Sequence, residues 1–184
     1  IFIVMFIIYS SNHPAGFNAN VVQTASNKGV LLAFVAMAQA LVVITAGIDL
    51  SVGMIFTLTN CLASWIVVGS PVQVFFGVVG VLLVGALCGA INGAIVIYGR
   101  LQPIVTTIAT GAVYYGIALA IRPNPGGSVD ETLADFFTGR FFGFIPASLM
   151  TLAAVVLVVW VPFSRSVTGR AAYAVGSSEA AAYM

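Results

Sequence analysis

Apolar residues in this chain gather into long runs, without the strict alternation of half-buried strands. Five such runs, at roughly residues 30–48, 53–69, 72–98, 104–121 and 148–163, contain no Lys or Arg, and a sixth at 1–9 reads as the end of another. A helix rises about 1.5 Å per residue, so ~20 apolar residues cross a hydrocarbon core about 30 Å thick. The pattern predicts an all-α, polytopic transmembrane bundle with about five complete spans plus part of a sixth.

The polar punctuation sets the boundaries. Residues 10–29 read as a loop with room for a short interfacial helix over 20–27. Gly47-Ile48-Asp49-Leu50-Ser51-Val52-Gly53 interrupts the hydrophobicity, and a new helix is expected over about 52–68 until Gly69-Ser70-Pro71 stops it. Gly99-Arg-Leu-Gln-Pro103 is a tight turn. The connection 122–146 carries Phe136, Phe137, Phe141, Phe142 and Phe144, which suit the headgroup level. The last span covers 147–163 with Trp160 as an anchor. In the tail, Ser177 or Ser178 before Glu179 makes a capped helix start. Alternation puts 99–103 and 164–184 on one side and 10–29 and 122–147 on the other. The basic residues tie, with Arg100, Arg165 and Arg170 against Lys28, Arg122 and Arg140, so charge alone leaves the orientation open.

Composition narrows the function. Charged residues make up 6% and hydrophobic ones 61%, and the net charge is +1. The six basic residues form no patch, which argues against a nucleic-acid partner. Cys61 and Cys88 lack the spacing of metal or disulfide frameworks and read as small packing residues, and His13 reads as a solvated loop residue. No nucleophile–base pair, metal-ligating cluster or Gly-x-x-x-x-Gly-Lys-Ser/Thr loop is present, so no catalytic, cofactor-binding or metal residue is expected in this chain. A nucleotide, if one drives the protein, binds elsewhere. The chain starts without Met, and 1–9, at roughly 14 Å, is too short to span. An excerpt of a longer protein is expected.

Three constellations stand out. Gly47, Asp49, Ser51 and Gly53 form a broken-helix motif. Its glycines permit unusual backbone, and Asp49 or Ser51 could cap the free N–H groups of the next helix. Asp49 is either such a cap or a ligand for an ion or substrate at membrane depth. Gly85, Gly89 and Gly93, four apart, make a bare seam suited to close helix packing or to a subunit interface. Gln39, Thr45, Thr57, Thr59, Asn60, Asn92, Thr106, Thr107 and Thr110 are uncharged polar residues within spans. They either bond between helices or line a path for a hydroxyl-rich solute, with Phe56, Asn60 and Asn92 the candidates for a pathway.

Two segments resemble one family. Ile44-Thr-Ala-Gly-Ile-Asp-Leu-Ser-Val-Gly53 resembles the Gly-Gly-Ile-Asp-Leu-Ser-Val-Gly stretch of bacterial ABC-importer permeases of the ribose, xylose and galactose type. Thr168-Gly-Arg-Ala-Ala-Tyr-Ala-Val-Gly-Ser-Ser-Glu-Ala-Ala181 resembles their cytoplasmic Gly-Arg…Tyr-Ala-x-Gly-x-Asn-x-Glu-Ala-Ala stretch. Gly89-Ala-Ile-Asn-Gly93 and Gly99-Arg-Leu-Gln-Pro103 fall between them at fitting spacing. Ser178 stands where Asn is commoner, and Ala46 where the first Gly is.

The resemblance implies a multi-pass permease domain over 1–184, in the bacterial inner membrane, forming about half of a complete member. It implies import of a sugar by a permease homodimer, with a periplasmic sugar-binding protein and a cytoplasmic ATP-binding subunit that holds ATP and Mg. It also places 164–184 inside as a coupling segment, with Gly169, Arg170, Gly176, Ser178, Glu179, Ala180 and Ala181 as its matching residues. Two other readings remain: an ion-coupled secondary transporter using Asp49, and a non-transporting membrane scaffold built on the glycine seam.

Overall fold

The computed structural model describes residues 2–12 and 18–177. They form helices α1 (Phe2–Asn12), α2 (Ala19–Ile44), α3 (Val52–Ile66), α4 (Pro71–Gly99), α5 (Pro103–Ile121) and α6 (Glu131–Thr138). A two-stranded antiparallel hairpin, β1 (Arg140–Phe141) and β2 (Ile145–Pro146), precedes α7 (Ala147–Val155), a π-helical turn (Val156–Trp160), α8 (Val161–Arg165) and α9 (Val167–Ser177). Among the described residues, four helical segments are long and apolar enough to cross a membrane: Ala19–Ile44, Pro71–Gly99, Pro103–Ile121 and Ala147–Arg165. The expected span at 53–69 is the 15-residue α3, shorter than the others. The fold is the polytopic helical bundle that the apolar runs predict.

The chain divides into two compact units, one of residues 1–37 and 132–170, the other of 38–131 and 171–184. In the first unit the expected loop over 10–29 is largely helix. α1 runs on to Asn12, and α2 starts at Ala19, where the Asn18 carboxamide accepts from the Val21 N–H at 2.9 Å. Asn20, Gln23 and Asn27 share one face of α2, with partners from the hairpin region. Gln23 donates to the Thr138 carbonyl (2.5 Å) and accepts from Arg140 Nε (2.6 Å), while Asn27 donates to the same carbonyl (3.0 Å). Arg140 also reaches Asn20.

The last span is a single rod with a π turn in it. Pro162 has no N–H to offer the preceding turn, and the widening at Val156–Trp160 just before it absorbs that misfit.

The second unit is built on α3, which lies against both α4 and α5. Leu58, Cys88, Tyr114 and Ala118 form its core, flanked by Ile55, Cys61, Val84 and Ile121. Cys61 and Cys88 are free thiols within this packing. The link from α3 to α4 follows the sequence closely. Gly69 turns the chain at φ +104°, the Ser70–Gln73 pair forms a reciprocal capping box, and Pro71 opens α4. The Asp130 N–H also reaches back to the Val67 carbonyl at 2.8 Å. At the far end of α4 a non-glycine residue, Arg100, takes the left-handed position (φ +52°).

Gly77 is where α4 and the end of α3 come closest: a Cβ there would run into the Ile66 carbonyl and lie 3.1 Å from the Val67 Cα. Gly77→Ala is therefore expected to cost about 1–3 kcal/mol through overpacking. The thermal unfolding midpoint of the purified protein in detergent should fall; an unchanged midpoint would mean that α4 is not held this close.

Candidate site at the helix break

The break after α2 starts with a helix stop. The Gly47 N–H bonds the Val42 carbonyl (2.9 Å) and the Ala46 N–H bonds the Val43 carbonyl (2.9 Å), the paired bonds of a Schellman motif. The left-handed position in that motif belongs to Ala46 (φ +59°) and not, as the glycines of the sequence suggested, to Gly47 or Gly53. Gly47 serves a steric purpose instead. A Cβ on it would lie 3.1 Å from Val42 Cγ1 and 3.3 Å from the Val42 carbonyl, with Pro103 Cγ at 3.8 Å. Gly53, in the first turn of α3, has nothing within 4 Å of an added Cβ among the described residues.

From here to α3 the backbone has no helical partners, and in an apolar surround each such group must find one. Side chains from α2, from α5 and from the break itself supply several of them. The Gln39 carboxamide on α2, oriented to satisfy both groups, donates to the Asp49 carbonyl (2.9 Å) and accepts from the Asp49 N–H (3.2 Å). Thr107 Oγ1 on α5 accepts from the Leu50 N–H at 3.0 Å. Asp49 Oδ1 accepts from both the Ser51 N–H (2.7 Å) and the Ser51 hydroxyl (2.6 Å).

The Ser51 side chain, wholly buried, continues the relay: its oxygen accepts from the Asn92 carboxamide on α4 at 2.7 Å. The Asn92 oxygen lies 3.1 Å from the Tyr114 hydroxyl on α5, which is also 3.0 Å from the Cys88 carbonyl. Gly111 lies against Ser51, where an added Cβ would sit in van der Waals contact, 3.4–3.5 Å from the Ser51 Cα and Cβ.

Asp49 and Ser51 are thus brought together as the motif suggested, with one difference from the expected cap. Neither side chain bonds the free N–H groups of α3. Asp49 bonds the Ser51 N–H just outside the helix, and the Met54 and Ile55 N–H groups bond the Ser51 carbonyl (both 2.9 Å).

Of the three pathway candidates, Asn92 is 4% exposed and turned into this relay, whereas Phe56 and Asn60 stand exposed on α3. Along the seam, an added Cβ at Gly85 would meet Thr59 Cγ2 at 3.6 Å. At Gly89 and Gly93 nothing lies within 4 Å among the described residues.

In the tail, Ser166 both closes α8 and opens α9. Its hydroxyl donates to the Phe163 carbonyl (2.7 Å) and accepts from the Gly169 N–H (3.0 Å). A helix therefore starts at Val167, and Ser177 is its last described residue, not the start of one. Gly169 is buried where a Cβ would strike the Phe163 carbonyl, and Arg170 is exposed. Gly176 rests on the end of α2, so close that a Cβ would collide with the Ile44 carbonyl. Ser178, Glu179, Ala180 and Ala181, and likewise His13, lie outside the described residues.

Tyr114 is the relay member that the sequence did not single out, and Gly111, which lies against Ser51, is its neighbour on the same face. Their signal was the spacing of Thr107, Gly111, Tyr114 and Ala118, all buried along one face of α5.

A broken helix clamped by polar side chains among apolar spans defines a multi-pass membrane protein, and its relatives give it a family. Over residues 21–184 the chain matches the family described as branched-chain amino acid transport system / permease component, and it belongs to that family. It is 32% identical to the ribose import permease protein RbsC of Haemophilus influenzae over 97% of this chain and 56% of that protein. It is 29% identical to the D-allose transport system permease protein AlsC of Escherichia coli, covering 98% of this chain and 56% of that protein. It is 28% identical to the autoinducer 2 import system permease protein LsrD of Photorhabdus laumondii, covering 96% and 54%. The chain thus spans a little over half the length of these relatives. No solved structure matches it. Family and spans together make it a multi-pass protein of the inner membrane.

Two outcomes follow from the geometry. Asn92→Ala removes both the donor to Ser51 and the oxygen beside the Tyr114 hydroxyl, so Asn92→Ala and Tyr114→Phe should be non-additive by about 0.6 kcal/mol, and at most ~1.7. Unfolding of both single variants and the double variant in detergent measures this, and strict additivity would break the relay. Ala46→Gly, which removes the left-handed penalty of ~1 kcal/mol, should raise the unfolding midpoint; a lowered midpoint would rule out the Schellman stop.

Proposed function

We propose that the whole protein is the permease subunit of an ATP-driven importer carrying a monosaccharide, such as a pentose or hexose, into the cell. The observation that carries this reading is the alignment of nearly the whole chain with relatives named as ribose, D-allose and autoinducer 2 import permeases. In this reading the permease acts as a homodimer. A periplasmic sugar-binding protein delivers the solute, and a separate cytoplasmic subunit binds and hydrolyses ATP with Mg.

The coupling segment is 164–184, with Gly169, Arg170, Gly176, Ser178, Glu179, Ala180 and Ala181 as its working residues. The seat of Gly176 on the Ile44 carbonyl supports this assignment, because it gives α9 direct purchase on the last turn of α2 and so on the break that follows. Motion imposed on α9 by the ATP-binding subunit would shift that turn, and a bundle with two stable packings would open to the other side. The apolar spans and uncharged polar residues suit a neutral, hydroxyl-rich solute.

The test is transport by the full-length protein, reconstituted in vesicles with its ATP-binding subunit and binding protein. Gly176→Ala places a methyl group against the Ile44 carbonyl, so uptake should fall at least about fivefold, the low end of coupling energies between sites, while ATP hydrolysis continues. Glu179→Arg should uncouple in the same way without preventing membrane insertion. Uptake that persists without ATP and collapses with an ion gradient would overturn the reading in favour of a secondary transporter.

A further inference from the structure

In the first unit, α2, the end of α6 and the start of α7 enclose a groove of about 370 Å³. Its walls are mainly apolar, formed by Val30, Leu31, Phe34 and Phe137. Two polar atoms on its lining residues are buried without a hydrogen-bond partner: Asn27 Oδ1 and Ser148 Oγ. Asn27 commits its amide N–H to the Thr138 carbonyl at 3.0 Å, which leaves the oxygen free, and Ser148 is 7% exposed. Buried oxygens left unpaired beside apolar walls are costly, so the groove calls for an occupant that is apolar along most of its length and carries hydroxyl donors at one end. Lys28 also borders the groove and adds a positive charge.

The depth of the groove indicates what that occupant is. Just beyond Lys28 toward its N-terminus, α2 presents Gln23 and Asn20 to Arg140, whereas beyond Val30 it is almost wholly apolar. The groove therefore straddles the level at which headgroups meet hydrocarbon. We infer that it binds an anionic phospholipid with a hydroxyl-bearing headgroup, of the phosphatidylglycerol class. The phosphate pairs with Lys28, headgroup hydroxyls donate to Asn27 Oδ1 and pair with Ser148 Oγ, and an acyl chain covers Val30, Leu31, Phe34 and Phe137. Water alone would satisfy the oxygens and leave the walls wet. A further apolar helix would cover the walls and offer nothing to Lys28 or Asn27.

The test uses the full-length protein in mild detergent, titrated with phosphatidylglycerol or with phosphatidylcholine and examined by native mass spectrometry. Lys28→Gln should lower phosphatidylglycerol retention about fivefold, the usual worth of one basic group at an anionic surface, and leave phosphatidylcholine retention unchanged. Leu31→Trp, which fills the groove, should lower retention of both lipids. Equal phosphatidylglycerol retention by the unaltered protein and both variants would overturn the inference. So would a disulfide formed between Leu31→Cys and a cysteine placed elsewhere in the full-length protein, since the protein's own chain would then occupy the groove. Neither readout depends on transport.

Discussion

A helix that stops inside an apolar bundle leaves backbone N–H and C=O groups with no water to bond, and the second unit is organised around meeting that demand. The segment between α2 and α3 is short, yet it draws on Gln39, Thr107, Asn92 and Tyr114 from three other stretches of the chain. The carboxylate of Asp49 would be expensive alone at this depth. Here it is the terminal acceptor of donors running from Asn92 through Ser51, with the Tyr114 hydroxyl between the Asn92 oxygen and the Cys88 carbonyl. Because Ser51 both donates and accepts, the relay has a direction, and that direction fixes the orientation of the Asn92 amide. The apolar contacts of Leu58, Cys88, Tyr114 and Ala118 bring α3, α4 and α5 together, and the relay sets where along α4 and α5 the break sits.

The spans were legible in the sequence because hydrophobic length is a one-dimensional property, set by bilayer thickness. The Gly69-Ser70-Pro71 link was equally plain, since its glycine, cap and proline each act locally. The polar start of α2 was not, because Gln23 and Asn27 look like loop residues until Arg140 and Thr138, more than a hundred positions away, fold back onto them. The π turn was missed for a different reason: Pro162 signals a disturbance but leaves its form open.

At the break, the motif marked the right place and the wrong residue. Glycine is the usual occupant of a left-handed position, but Ala46 takes it, while Gly47 is small because of Val42. Asn92 was visible as a polar residue on a span, and only the fold shows that it bonds Ser51. Tyr114 hid among aromatics that are unremarkable in a membrane helix. The tail taught the converse lesson, since Ser166 opens a helix at Val167 that no serine further along the tail had marked, and Gly176 matters through what it touches.

These features meet at one place. Gly176 on α9 rests on the last turn of α2, the Schellman stop follows within two residues, and the relay begins at Asp49. In the proposed reading, a push on α9 would reach a segment held by a small number of directed hydrogen bonds, a more switch-like connection than a broad apolar contact. The most direct test is hydrogen–deuterium exchange of the full-length protein in nanodiscs, read at the amides of Gly47, Leu50 and Ser51. Exchange as slow as in the middle of α4 is the predicted result, because these amides bond Val42, Thr107 and Asp49. Exchange at the rate of an open loop would contradict the account.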